Sequence, residues 1–203
     1  MYKINFLAHF HLAWPDPLLV TGALEGDFLK GRIPNDLPRS LAIGVQLHRH
    51  IDAFTDGHEL IFQLKSEFNG PLRRYAGILI DLCFDHYLSK NWGKFHSLPI
   101  TIFSQEIIAQ LEQNESLLSS RAYEMYLFLK RYKILESYIE WDNVLNSAYR
   151  TGKRFKLGNP FIDIERTLSP LDSRIEEAFM IFYPKLIRQS SHFLLQQKYT
   201  KSH

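Results

Sequence analysis

The stretch L-H-R-H-I-D-A-F-T-D-G-H, residues 47–58, decides how this chain is read. It carries His48, His50 and His58, a third of the nine histidines in the protein, together with Asp52 and Asp56. Upstream and through it, Leu41, Val45, His48 and Asp52 fall on one helical row and Ile43, Leu47, Ile51 and Phe54 on another. That spacing predicts a helix from Pro38, with His48 and Asp52 one turn apart and pointing the same way. Imidazole and carboxylate side by side suit a divalent metal and also suit acid–base work.

A second stretch repeats the pattern. G-I-L-I-D-L-C-F-D-H-Y-L, residues 77–88, places Asp81 and Asp85 four apart inside an apolar run, followed by His86. A buried carboxylate must be paired, protonated or metal-bound. Two in register favour a metal, with a half-exposed face or ion pairs to Arg73, Arg74 or Lys90 as the plainer explanation. Asp52 likewise has an ordinary alternative in a helix-surface pair with Arg49. His50 faces away from His48 and is expected at the surface, and His58 is ambiguous.

Working outward, residues 2–13 read as a short buried helix that W-P-D-P, 14–17, interrupts. Pro17–Lys30 reads as a second helix and 31–38 as a loop. Asp56 is placed to cap the next helix, with Glu59 three residues on in capping-box position. That helix runs to about Phe68 and ends at Asn69-Gly70-Pro71. Longer helices are expected over 72–91, 101–114, 120–132 and 134–151. A last helix is expected from 169 or 170 towards 197, with a bend at Tyr183-Pro184. Only I-T-I-F at 100–103 hints weakly at a strand. The expected class is all-α, a single-domain multi-helix bundle over 1–203.

Within G-A-L-E-G-D-F-L-K-G, 22–31, no strand precedes the glycines and the phosphate-loop spacing is absent. They suit a small-residue face on which helices approach closely. Asp27 in that crowded face needs a partner, and a metal is one candidate. His9 and His11, two apart, cannot share a helix face, so at most one serves a site with the others.

The bulk properties narrow the function classes. With 24 Lys and Arg against 22 Asp and Glu, the net charge of +2 gives no reason to expect a nucleic-acid partner. The one cysteine, Cys83, excludes an intrachain disulfide framework, fits a reducing compartment and reads as an inert core thiol. No signal peptide is expected, and no apolar run approaches the ~20 residues of a membrane span. The expectation is a cytoplasmic protein with no membrane association. The 130–156 segment is locally basic, either as a solvated face or as a surface for an acidic partner. No serine elbow, Walker motif, zinc-type cysteine cluster or dinucleotide fingerprint occurs.

Taken together, N-F-L-A-H-F-H-L-A (5–13), G-D-F-L-K-G (26–31), L-H-R-H-I-D-A-F-T-D-G-H (47–58), D-L-C-F-D-H-Y-L with Trp92 downstream, and F-M-I-F-Y-P (179–184) resemble the acyl carrier protein phosphodiesterases. That family is similar to a divergent branch of the HD phosphohydrolases. The chain departs from the pattern at Ala23, where asparagine is usual, and at Asp85-His86, where the doublet is reversed. The resemblance implies hydrolysis of the phosphodiester joining 4′-phosphopantetheine to a serine of holo-acyl carrier protein, a small acidic protein, by a metal-activated water. It implies Mn2+, or another divalent ion such as Mg2+. Asp27, His48, Asp52, Asp81 and Asp85 are then the expected metal ligands. Lys30 and Arg49 are expected to stabilise the phosphoryl oxygens and His86 to protonate the departing serine oxygen, with His48 as its alternative. His9, Asp56, Arg150 and Arg154 are expected to bind substrate. Two alternatives stay open: a metal-dependent hydrolase of a nucleotide or other small phosphate ester, and a non-catalytic helical adaptor whose carboxylates form structural ion pairs.

Overall fold

A computed structural model describes residues 6–199. The described residues are helical and turn structure, with no strand among them, as the all-α expectation required. The helices are α1 (Phe6–Ala13), α2 (Pro17–Glu25), α3 (Arg39–Gly57), α4 (Glu59–Glu67), α5 (Ala76–Lys90), α6 (Ile100–Gln113), α7 (Ser120–Tyr132), α8 (Ile134–Ser137), α9 (Trp141–Gly152), α10 (Ile164–Leu168) and α11 (Asp172–Tyr199). The first four residues of the helix expected over 2–13 lie outside the described residues.

α5 is the centre of the molecule. Every residue from Leu79 to Ser89 is buried, which a helix achieves only when packed on all sides. Around it stand α1, α4, α9 and α11. One continuous apolar cluster runs from Phe6 to Leu186. Cys83 lies inside it at 0% exposure, and burial pushes its thiol pKa up, so it is inert packing.

α2 starts where Asp16 caps it, accepting from the backbone N–H of Leu18 (2.9 Å) and Leu19 (3.1 Å), with Pro17 in the first turn. It then lies hard against α3. A Cβ on Gly22 would sit 2.2 Å from the Leu41 carbonyl oxygen, and one on Gly44 2.4 Å from that of Leu19. These glycines are therefore a crossing point of two backbones. Gly44→Ala is expected to lower stability by ~3 kcal/mol, the upper range for overpacking, because the obstacle is backbone and cannot swing aside. A chemical-denaturation midpoint equal to wild type would show the crossing to be looser than this.

Several boundaries differ from the sequence expectation. α2 ends at Glu25, not Lys30: the chain tightens so that Asp27 N–H reaches the Leu24 carbonyl and Phe28 N–H that of Glu25, turning Asp27 inward. α3 continues through Asp56 to Gly57, so Asp56 is not the N-cap residue of α4. The cap of α4 is His58, whose Nδ1 accepts from Leu60 N–H at 3.1 Å. Residues 70–75 form a 3-10 turn before α5. I-T-I-F belongs to α6. The helix expected over 134–151 is two pieces, α8 and α9, parted around Tyr138, whose carbonyl is taken by a side chain of α5. α11 runs through Pro184 as one continuous helix.

Candidate metal centre

Three elements converge at one end of α3. α1 supplies His9, the turn after α2 supplies Asp27, and α3 supplies His48 and Asp52. His9 Nε2 lies 3.4 Å from Asp52 Oδ1, and His48 Nε2 lies 3.5 Å from Asp52 Oδ2 and 3.8 Å from Asp27 Oδ1. The two imidazoles stack with centroids 4.0 Å apart and 17° between planes. His9, His48 and Asp27 are buried, while Asp52 keeps 26% of its side chain exposed and forms the open edge. The turn between helical residues 48 and 52 does what the i,i+4 spacing promised.

The tautomer of His48 is fixed by its surroundings. Its Nδ1 lies 2.8 Å from the Ala23 carbonyl oxygen, which can only accept, so Nδ1 carries the proton. Without a second proton, Nε2 turns a lone pair towards two carboxylates. It makes no hydrogen bond and is fully buried. Such a meeting is unfavourable unless a proton or a cation stands between the groups. Ligands ~2.1 Å from a common ion are separated by about 3–4 Å, and the three donor separations fall in that interval. Two imidazole nitrogens with one or two carboxylates suit Mn2+ or Zn2+ better than Ca2+. The donor set therefore fits a divalent ion that His9, His48 and Asp52 would hold, with the Asp27 carboxylate 3.8 Å from His48 Nε2. Burial opposes ionisation of Asp52, but the two neighbouring imidazoles outweigh it and hold its pKa below the ordinary carboxylate range.

The supporting shell is built into the helix ends. Asp85, fully buried on α5, accepts from the backbone N–H of Leu7 (3.0 Å) and Ala8 (3.1 Å). It thereby caps α1 from outside and fixes the helix that carries His9. Burial, the largest influence, raises its pKa well above the ordinary value; the two amide bonds oppose this and the nearby Asp81 adds to it. Arg49, next to His48, donates to the Leu29 carbonyl at 2.7 Å and ties down the turn that holds Asp27. Gly26 makes room for the His48 ring, since a Cβ there would lie 2.3 Å from its Cγ. Gly26→Ala is expected to push the imidazole off the cluster and weaken Mn2+ binding about 10–100-fold, the scale of lost supporting contacts at metal sites. Titration calorimetry showing unchanged affinity would mean the ring has another resting place.

A profile of the family described as acyl carrier protein phosphodiesterase matches residues 4–186. The chain belongs to that family. Its relatives include proteins named acyl carrier protein phosphodiesterase from Yersinia enterocolitica, 32% identical over 92% of this chain and 97% of the relative, and from Photorhabdus laumondii, 31% identical over 93% and 96%. The Yersinia pestis protein of the same name is 29% identical over 93% of this chain and 98% of its own length. No solved structure matches. Membership places the chain among phosphodiesterase hydrolases.

The remaining expected residues sit as follows. Asp81 is buried one turn before Asp85 on α5, and neither belongs to the group able to share an ion. His86 lines a different cleft with Lys90, Trp141, Glu165 and Asp172, and its Nδ1 lies 2.7 Å from the Tyr138 carbonyl oxygen. Burial, the largest influence, lowers its pKa, and its cleft is separate from the His9, His48 and Asp52 group. Lys30 is exposed, next in the chain to the Leu29 that Arg49 grips. Asp56 is exposed, one helical turn beyond Asp52 on α3, and paired with Lys65 at 3.0 Å. Arg150 and Arg154 line a pit between α7 and α9. His50 is not a bare surface residue: it stacks on Phe193 at 4.8 Å. His11 turns to the other side of α1, with Nδ1 2.7 Å from the Tyr183 hydroxyl; burial, then the nearby His96, lower its pKa to about 4. His9, expected to touch substrate, instead stands with the metal donors. Gly26 gave only its place in a glycine-rich turn as a signal, and its contact with His48 is visible only in three dimensions.

Proposed function

We propose that this protein hydrolyses the phosphodiester linking 4′-phosphopantetheine to a serine of holo-acyl carrier protein, releasing apo-carrier and 4′-phosphopantetheine. Family membership and the names of the relatives support the reaction and the substrate. The observation that carries the metal dependence is the lone pair of His48 Nε2 facing Asp27 and Asp52 across less than 4 Å. A divalent ion, Mn2+ in this reading, supplies water activation and neutralises phosphoryl charge when bound. The chain's own residues do the rest. The carbonyl of Ala23 keeps His48 in the tautomer that offers Nε2. The stack of His9 on His48 fixes both rings, and Asp52 presents its carboxylate to both of them. Arg49, which donates to the Leu29 carbonyl, and the exposed Lys30 beside it are the cations proposed to meet the non-bridging oxygens. Burial of three of the four donors excludes bulk water from all but the Asp52 edge. The contribution of histidines and aspartates from separate helices is also the arrangement an HD-type relationship would require, and a cytoplasmic, single-domain enzyme agrees with it. Among the described residues no helix is long and apolar enough to cross a membrane.

The test is the mass of holo-acyl carrier protein incubated with the purified protein and Mn2+. Loss of one phosphopantetheine group, abolished by a chelator and restored by Mn2+, is expected. An unchanged carrier mass would refute the proposed substrate, and turnover indifferent to chelation would refute the metal.

A further inference from the structure

The charge of this chain is unevenly placed. Residues 120–156 hold eight Lys and Arg against four Asp and Glu, a net +4 in a chain of net +2, so the remainder is net −2. All eight cations are exposed. They do not form a purely polar face. Tyr123, Leu127, Tyr132, Ile139, Tyr149 and Leu157 are large apolar or aromatic side chains at least 37% exposed in the same region. The Lys153 ammonium sits 4.7 Å from the Tyr149 ring, and the Arg150 guanidinium 6.0 Å from that of Phe128. Between α7 and α9 lies a pit of about 80 Å³, walled by Met125, Phe128 and Ile134, floored by Phe6 and rimmed by Arg150 and Arg154.

Two features tie this face to the cluster. Phe6 is one helical turn before His9 on α1, and residues three apart on a helix are neighbours. The Glu25 carboxylate, two residues before Asp27, accepts from the Ser119 backbone N–H at the start of α7. The pit therefore adjoins the metal donors through α1, and α7 is anchored beside them.

We propose that the α7–α9 face is the seat for an acidic protein surface that inserts one apolar side chain into the pit, holding a protein-borne ester at the cluster. This rests on the carrier-protein reading above and names where on the chain that substrate is held. Cations interleaved with aromatic rings around an apolar pit are the makeup of a protein interface, with rim charge for steering and a desolvated anchor at the centre. Glu124, Glu136, Glu140 and Asp142, dispersed over the same elements, disfavour a continuous phosphate backbone.

The experiment compares kcat/KM for holo-acyl carrier protein with kcat/KM for a small chromogenic phosphodiester, and measures binding of apo-acyl carrier protein at 50 and 300 mM salt. For the double variant Arg150→Glu, Lys153→Glu, the protein-to-small-diester ratio is expected to fall at least tenfold, and apo-carrier binding to weaken and lose most of its salt dependence. Ser147→Leu, which fills the pit without changing charge, is expected to lower the ratio as well. The control Arg188→Glu, on an exposed site of α11, is expected to leave the ratio alone. An unchanged ratio in the double variant, an equal fall for both substrates, or a DNA oligonucleotide competing as well as the carrier would overturn the proposal. Apo-carrier binding by wild type without turnover would instead refute the proposed reaction while leaving the docking face standing.

Discussion

Alanine at His48 is expected to abolish stoichiometric Mn2+ binding and to reduce turnover by at least about 100-fold, since even supporting residues at metal sites are worth 10–100-fold. His48 has the strongest geometric case for being a donor. Its Nδ1 is committed to the Ala23 carbonyl and its Nε2 is aimed, with no hydrogen bond, at two carboxylates. Removing the ring leaves His9, Asp52 and Asp27 without their common neighbour. The fold should tolerate it: the loss of the Ala23 hydrogen bond, the His9 stack and a buried ring is about 2–4 kcal/mol, and the substitution also removes a group pressed against two carboxylates. Calorimetry with Mn2+ on a helical, cooperatively melting variant is the measurement. Binding at wild-type affinity would exclude His48 as a ligand and, with it, the centre described above.

Asp85 gives the sharpest contrast between two roles. As the outside cap of α1, it accepts two backbone hydrogen bonds in a fully buried place. Asp85→Ala strands both amide groups, and at ~1–3 kcal/mol for each buried donor left unsatisfied the expected loss is about 2–5 kcal/mol of folding stability without any metal present. Asp85→Asn keeps one acceptor oxygen but turns an NH2 donor towards the other amide, and is expected to lose at least half as much. Mn2+ affinity should fall in step with stability, because His9 rides on the helix that has come loose. A metal ligand would behave in the opposite way. Its removal would relieve buried like charges, so the metal-free protein would melt no lower while Mn2+ binding vanished. Thermal melts of the chelated variants separate the two.

The contrast at Asp85 shows how much of the centre was legible in the residues alone. The apolar run around Asp81 and Asp85 announced buried carboxylates, and both are buried. It did not say what satisfies them. A buried aspartate can be answered by an ion or by two backbone amides, and the amides at the start of α1 are 77 and 78 residues away in sequence. His86 shows the same limit: adjacent to Asp85 in sequence, it turns to another cleft because successive helical residues are about 100° apart. One local signal also lost to another at Asp56, where α3 ran on to Gly57 and His58 took the cap.

The sequence by itself determined the all-α class, most helix positions and the His48–Asp52 pair, because these depend on periodicities within one or two turns. Its motif blocks also determined the family. Only the tertiary structure decided that His9 joins that pair and Asp85 does not, that Gly26 is the space for an imidazole, and that a basic, aromatic face abuts the cluster. These are meetings between segments distant in the chain, set by how buried helices pack against α5, and no local pattern encodes them.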